Sequence, residues 1–166
     1  MSGANTTTDN LNPHRQPPTT PSTLRIWQQN MNKSRNAQQH MLCNLNPAQY
    51  DIALIQEPVI NVVNLTTSNP KWNVIYPSTH NKDRATRTRS VILINKAISK
   101  DSWRTIPIET PDVTAIELSG AFGRIRIYNV YNDNTHNDTL TALEDHFTSE
   151  NAQERNPPGG TPNARS

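Results

Sequence analysis

An α/β layered domain built on a mixed sheet is the fold this chain predicts, and three observations predict it. Short apolar runs of strand length alternate with segments of helical periodicity. One run, "DIALIQ" at 51–56, is apolar almost throughout, as a strand covered on both faces would be. The order of elements is strand, helix, three strands, a hairpin partner and a second helix, which fits a mixed sheet better than a doubly wound one. No glycine-rich phosphate loop follows any strand, so nucleotide-cofactor folds find no support.

Each element has a local reason. "LRIWQQN" (24–30) reads as a strand through Leu24, Ile26 and Trp27. Ser34 then caps a helix with Ala37, Met41, Leu42 and Leu45 at helical spacing, stopped before Pro47. Cys43 is placed on the apolar side of that helix as a buried thiol. "WNVIY" (72–76) and "SVILIN" (90–95) are further strands, separated by a basic loop that carries Lys82, Arg84, Arg87 and Arg89. "DVTAIEL" (112–118) passes through "SGAFG" into "RIRIYNVY" (124–131), a hairpin by its turn chemistry. "DTLTALEDHF" (138–147) closes the series as a short helix with Leu140, Leu143 and Phe147 on one stripe.

The ends differ in composition. Most of the 13 prolines lie there, set against 5 glycines in the whole chain. Residues 1–22 and 149–166 are polar, aperiodic segments that cannot bury enough surface to offset ordering entropy, and both are expected to be disordered. A net charge of +2 over 166 residues does not by itself announce a nucleic-acid binder. The single cysteine excludes an internal disulfide and a cysteine-based zinc site. No membrane span and no secretory leader are read, so the expected location is intracellular, nuclear or cytoplasmic, and not secreted.

Three strands end in chemically useful groups: the first at Asn30 and Asn32, the second at Glu57, and the hairpin's second strand at Asn129 and Tyr131. Gathered on one rim they would make a polar pocket suited to metal-assisted chemistry. Mg²⁺ needs only one or two carboxylates besides water and phosphate oxygens, and a phenol can stabilise charge developing on phosphate. Plainer readings stand beside this one. Glu57 can be a solvated strand end, the asparagines can turn the loop, and Tyr131 can be a core-edge residue. Asn129 can reach the pocket or satisfy backbone. The four cations can form a solvated loop rather than follow a nucleic-acid backbone. Trp72 and Trp103 are read as packing residues, His136 and His146 as surface ones.

The ordered set "LRIWQQNMNKS", "YDIALIQEP", "TRSVILINKAIS" and "RIRIYNVYND" resembles the first half of the endonuclease/exonuclease/phosphatase family. Within it the likeness is to the apurinic-type endonuclease domain of non-LTR (LINE-like) retrotransposons, especially fungal ones. The resemblance implies a layered α/β sandwich of that type with only the first half present. The chain then divides into a tail at 1–22, a partial domain at 23–148 and a tail at 149–166. It implies Asn30 near the metal and the attacked phosphate, Asn32 beside it, Glu57 as metal ligand and Tyr131 on the phosphate. Asn134 falls on a nucleic-acid-contacting loop, and Arg87 and Arg89 are candidate phosphate contacts. Mg²⁺ or Mn²⁺ is the implied cofactor. DNA, or RNA, is the implied partner, with a C-terminal half or a reverse transcriptase region as a further one.

Two departures qualify the likeness. Asn132-Asp133 stands where the family often has Ala/Val-Pro after the tyrosine. The family's Gly-Asp-x-Asn and Ser-Asp-His motifs do not occur, so a truncated copy of weak or no activity is expected. Half a sandwich should also expose the aliphatic inner face of its sheet and be unstable. The alternative functions are a non-catalytic remnant that binds nucleic acid weakly and a phosphatase of the same fold. A glycosidase pairing Glu57 with Glu117 lacks any sugar-binding aromatic surface.

Overall fold

The structure, a computed structural model, describes residues 22–83 and 85–159. The tail expected at 1–22 therefore lies outside the described residues except for Ser22. Among the described residues seven strands form two sheets. The first has the order β1 (Ile26–Asn30), β2 (Ile52–Gln56), β4 (Ser90–Asn95), β3 (Trp72–Ile75), with β1 parallel to β2 and the other pairs antiparallel. The second is an antiparallel sheet of β5 (Trp103–Ile106), β6 (Val113–Gly120) and β7 (Gly123–Val130). The helices are α1 (Arg35–Asn44) and α2 (Asp138–Arg155).

Period-two alternation sorts the apolar residues into three layers of core. Ile52, Ile92 and Ile94 of the first sheet meet Ile116, Leu118 and Ile127 of the second, and all but Ile127 are essentially inaccessible. The opposite face of the first sheet, through Ala53, Ile55, Val91 and Leu93, packs with Met41 of α1 and with Leu45, the residue that caps its carboxyl end. The outer face of the second sheet, through Val113 and Ala115, packs with Ala142 and Leu143 of α2. The order of layers is thus helix, sheet, sheet, helix. The aliphatic inner face expected to lie open is covered, because the segment after β4 supplies a second sheet. The sequence pattern gave no sign of β5, whose "WRTI" is short and half polar.

Local signals hold in detail at several points. Ser34 caps α1, its hydroxyl accepting the Ala37 N–H at 3.2 Å. Gly120 and Gly123 pair across the β6–β7 turn, and Gly123 takes φ +92°, a conformation that favours glycine.

Other expectations fail for tertiary reasons. α2 runs past Ser149 to Arg155, so the first part of the expected carboxy-terminal tail is helix. Arg126 holds it there through an ion pair with Glu150, and Tyr128 meets His146 and Phe147. His146 is accordingly only 12% exposed at its side chain, not a surface histidine. Of the expected stripe, Leu143 packs in the core beside Ala142, while Leu140 and Phe147 are exposed. Cys43 also faces solvent, because Gln38 and Met41 are the buried residues of α1.

Candidate active site

The carboxyl ends of β1, β2 and β7 and the amino ends of β4 and β6 meet on one rim, and backbone hydrogen bonds stitch them together. The Met31 N–H donates to the Gln56 carbonyl at 2.8 Å, and the Lys33 N–H to the Glu57 carbonyl at 3.0 Å. The Glu57 N–H donates to the Arg89 carbonyl at 2.8 Å, and the Arg89 N–H to the Pro111 carbonyl at 3.0 Å. The Tyr131 N–H completes the chain of contacts at the Asp112 carbonyl, 2.8 Å away. Asn30, Glu57 and Tyr131 are therefore brought to the same edge of the sandwich. Asn30 pairs in register with Gln56, the residue before Glu57.

Beneath the rim lies a buried polar plug that joins the two sheets. The Gln56 amide donates to the Asn129 Oδ1 at 2.5 Å, and the Asn129 Nδ2 donates to the Ile55 and Val91 carbonyls at 2.9 and 2.8 Å. The Ser90 hydroxyl donates to the Asn129 carbonyl and the Thr114 hydroxyl to the Ser90 carbonyl. Asn129 is thus a structural residue: its amide is spent on backbone in a site with almost no exposure. Ser90 and Thr114 were invisible to sequence reasoning, since a single Ser or Thr at a strand end carries no signal of its own.

The backbone at the rim is strained. Asn32, Lys33 and Glu57 adopt φ of +48°, +55° and +47°. For Glu and Lys this left-handed conformation is uncommon and costs on the order of 1 kcal/mol each, and such strain concentrates at functional sites. The Glu57 carboxylate interacts with the Tyr131 phenol, chiefly by hydrogen bonding, and that raises the phenol's pKa above its ordinary value. Among the described residues no cation forms an ion pair with Glu57.

Arg89 is different from its expected role as a phosphate contact. Its Nε and Nη2 donate to Asp112 at 2.7 and 3.2 Å, and its Nη1 donates to Asp133 at 2.7 Å. The guanidinium also lies 5.0 Å from the centroid of the Tyr131 ring. Arg89 thus holds the tyrosine while neutralising a buried aspartate, and Thr139 of α2 donates to the same Asp112 at 2.6 Å. Asp133, one of the two residues standing where the family often has Ala/Val-Pro, serves as the arginine's second partner. Its pKa falls to about 2, first through the Thr135 hydroxyl and N–H and then through Arg89. Asn134 lies exposed on the turn that follows. Asn32 is exposed as well, and its N–H donates to the Asn30 Oδ1 at 2.7 Å, a local turn.

A cavity of about 240 Å³ opens beside Glu57, lined also by Lys33, Arg35, Arg87 and Arg89. Arg87 is exposed and, like Arg35, has no ion pair among the described residues. Lys33 and Arg35 were not singled out from sequence, although both directly follow the strand that ends at Asn30. Lys82 of the same basic loop is committed to Glu109. Glu117 is remote from this rim: it lies on the outer face of β6 between Arg104 and Arg126, and no two-carboxylate glycosidase site exists with Glu57.

These features define a class: a two-sheet α/β sandwich with helices outside, whose strand ends carry a carboxylate and a phenol beside a basic cavity. No protein-family model and no curated protein matches the chain. Among solved structures it is similar to the endonuclease domain of TRAS1, a telomere-specific non-LTR retrotransposon, with a TM-score of 0.55 and 16% sequence identity. The match covers 80% of this chain and 53% of that one, so the chain spans about half the length of its neighbour. The likeness is one of fold. No described helix is long and apolar enough to cross a membrane.

Proposed function

We propose that the chain is the first half of a metal-dependent phosphodiesterase of the endonuclease/exonuclease/phosphatase type, a DNA endonuclease of a retrotransposon-like element. The observation that carries this reading is the convergence of Glu57 and Tyr131 on one strained rim next to the end of β1. The kinship to fungal elements in particular rests on the sequence motifs alone.

The residues fit a divalent ion of modest protein ligation. Glu57 offers a carboxylate without an ion-pair partner among the described residues, and Asn30, paired in register with the preceding Gln56, offers an amide oxygen on the same rim. Among the described residues no group of three or more His, Cys, Asp or Glu side chains could hold a metal. One carboxylate with an amide oxygen suits Mg²⁺ or Mn²⁺, which keep several waters and accept phosphate oxygens, and does not suit zinc. When bound, such an ion supplies Lewis-acid activation of the phosphodiester. The chain's own residues do the rest. Tyr131, a phenol and so protonated at neutral pH, donates a hydrogen bond to a non-bridging phosphate oxygen. Arg89 keeps the phenol in place. Arg87 and Lys33 meet flanking phosphates.

Among the described residues Asp112 and Asp133, the carboxylates nearest in the rim's network, are both held by Arg89, which leaves no free second carboxylate there to serve as base for an attacking water. Full activity on this reading needs a partner half. A second reading follows from that same observation: a non-catalytic remnant that binds nucleic acid weakly. The two separate in one experiment. Joined to the C-terminal half of a retrotransposon endonuclease, the chain should nick supercoiled plasmid with Mg²⁺, and Glu57→Ala should slow nicking about a hundredfold or more. Equal rates for parent and variant would reject the metal role, and a joined protein that binds but never nicks would favour the remnant.

A further inference from the structure

Next to the candidate site a short loop projects two of the most exposed apolar side chains in the described structure. Between Ile60 and Thr66, which form an antiparallel bridge, Val62 and Val63 are 104% and 67% exposed. Leu65 adds a third apolar residue, 49% exposed. Nothing about the loop is loose. The Asn61 N–H donates to the Leu65 carbonyl at 2.8 Å, and the Asn61 side chain accepts the Val63 and Leu65 N–H groups at 3.0 Å. Asn64, at φ +61°, donates its amide to the His80 carbonyl at 3.0 Å, and the His80 Nε2 lies 2.7 Å from the Asn64 carbonyl. Tyr76 stacks on His80 and accepts the Thr66 N–H. A loop held at this many points presents its valines in a fixed position.

Arg87 joins this loop to the candidate site. It lines the cavity beside Glu57 and also a second one of about 220 Å³ walled by Ile60, Val62, Val63 and Asn64. An apolar tip on a cationic base is complementary to duplex DNA. The base meets phosphate, and the tip meets the sugar walls and base edges of a groove or wedges between two base pairs. The RNA minor groove is lined with 2′-hydroxyls and offers a poorer apolar surface.

We infer that Val62 and Val63 form a preformed wedge that enters duplex DNA beside the phosphodiester addressed by Glu57, with Arg87 on the backbone between them. This rests on the phosphodiesterase reading and deepens it by assigning a second contact. The two fail separately. The test uses the full chain with Ca²⁺ in place of Mg²⁺, a short duplex carrying 2-aminopurine, and fluorescence anisotropy. Val62→Asp/Val63→Asp should weaken binding tenfold or more and abolish the 2-aminopurine change. Val62→Ser/Val63→Ser should do the same to a smaller degree, with the salt dependence of binding unaltered. Arg87→Ala should leave the 2-aminopurine change and lower the slope of log affinity against log salt by about one. Circular dichroism of all variants should match the parent, because the substituted side chains are exposed.

Unchanged affinity and fluorescence in both double variants would overturn the wedge, as would a parent chain that binds no duplex. Self-association that the aspartates abolish without affecting DNA affinity would overturn it in favour of a contact between copies. Mn²⁺ titration of the parent against Glu57→Ala tests the metal reading independently, and its failure would leave the wedge result interpretable.

Discussion

Two glutamates, one at the end of a strand of the first sheet and one within a strand of the second, have opposite fates. Glu117, in the middle of β6, is buried, and each of its oxygens takes a guanidinium: Arg104 at 3.0 Å and Arg126 at 2.9 Å. Those hydrogen bonds, Arg126 first, hold its pKa below the ordinary carboxylate value. Glu57, at the tip of β2, has a phenol for company, a left-handed backbone and an open cavity lined also by Lys33, Arg35 and Arg87. A charge matched inside the protein stabilises the fold and has nothing left to offer a ligand. A charge on a strained backbone, with no ion-pair partner among the described residues, costs stability, and groups of that kind concentrate at functional sites.

Four substitutions would break or sharpen this contrast. The largest effect belongs to Arg89→Ala, which leaves Asp112 buried and uncompensated and should destabilise by about 3–5 kcal/mol in urea unfolding. A loss under about 1 kcal/mol would mean that Asp112 is neutral or hydrated and that the rim is not built on this pair. Glu117→Ala should cost about 2 kcal/mol, because two partly exposed guanidinium groups lose their acceptor but recover water. Glu57→Gly should act in the other direction and raise stability by up to about 1 kcal/mol, since glycine adopts φ +47° freely. If it destabilises as Glu117→Ala does, Glu57 is a structural residue and the contrast between the two is void.

The smallest effect concerns pH. Burial lowers the pKa of His80 below its ordinary value, so between that lowered value and about 6.5 the unfolded chain binds more protons than the folded one. Stability should therefore be complete above about pH 6.5 and decline as pH falls through the lowered pKa. A melting series from pH 8 to pH 5 should show this decline, and it should flatten in His80→Gln. An identical slope in that variant would move the acid sensitivity to another group.

Arginine pairing was the least legible part of the site. Arg87 and Arg89 are two residues apart in one basic run, and nothing local distinguishes them. Tertiary structure places Arg89 between Asp112 and Asp133 and leaves Arg87 at the cavity. Asn129 of β7 and Tyr131 just beyond its end posed the same difficulty: the amide turned inward to backbone, the phenol toward Glu57. The loop at 60–66 was missed because a run of Val and Leu reads as buried until its hydrogen bonds are seen to hold it outward.

By itself the sequence determined the strands of the first sheet, the β6–β7 hairpin and the cap of α1. It also determined which strands end in Asn30, Glu57 and Tyr131. Those properties are written in periodicity, turn residues and side-chain chemistry within a few positions of each other. Only tertiary structure decided that a second sheet closes over the aliphatic face, that the chosen strand ends share one rim, and which charges are already satisfied. Burial and ion pairing depend on residues dozens of positions apart, and free energy is assigned to a charge by its surroundings in space, not by its neighbours in the chain.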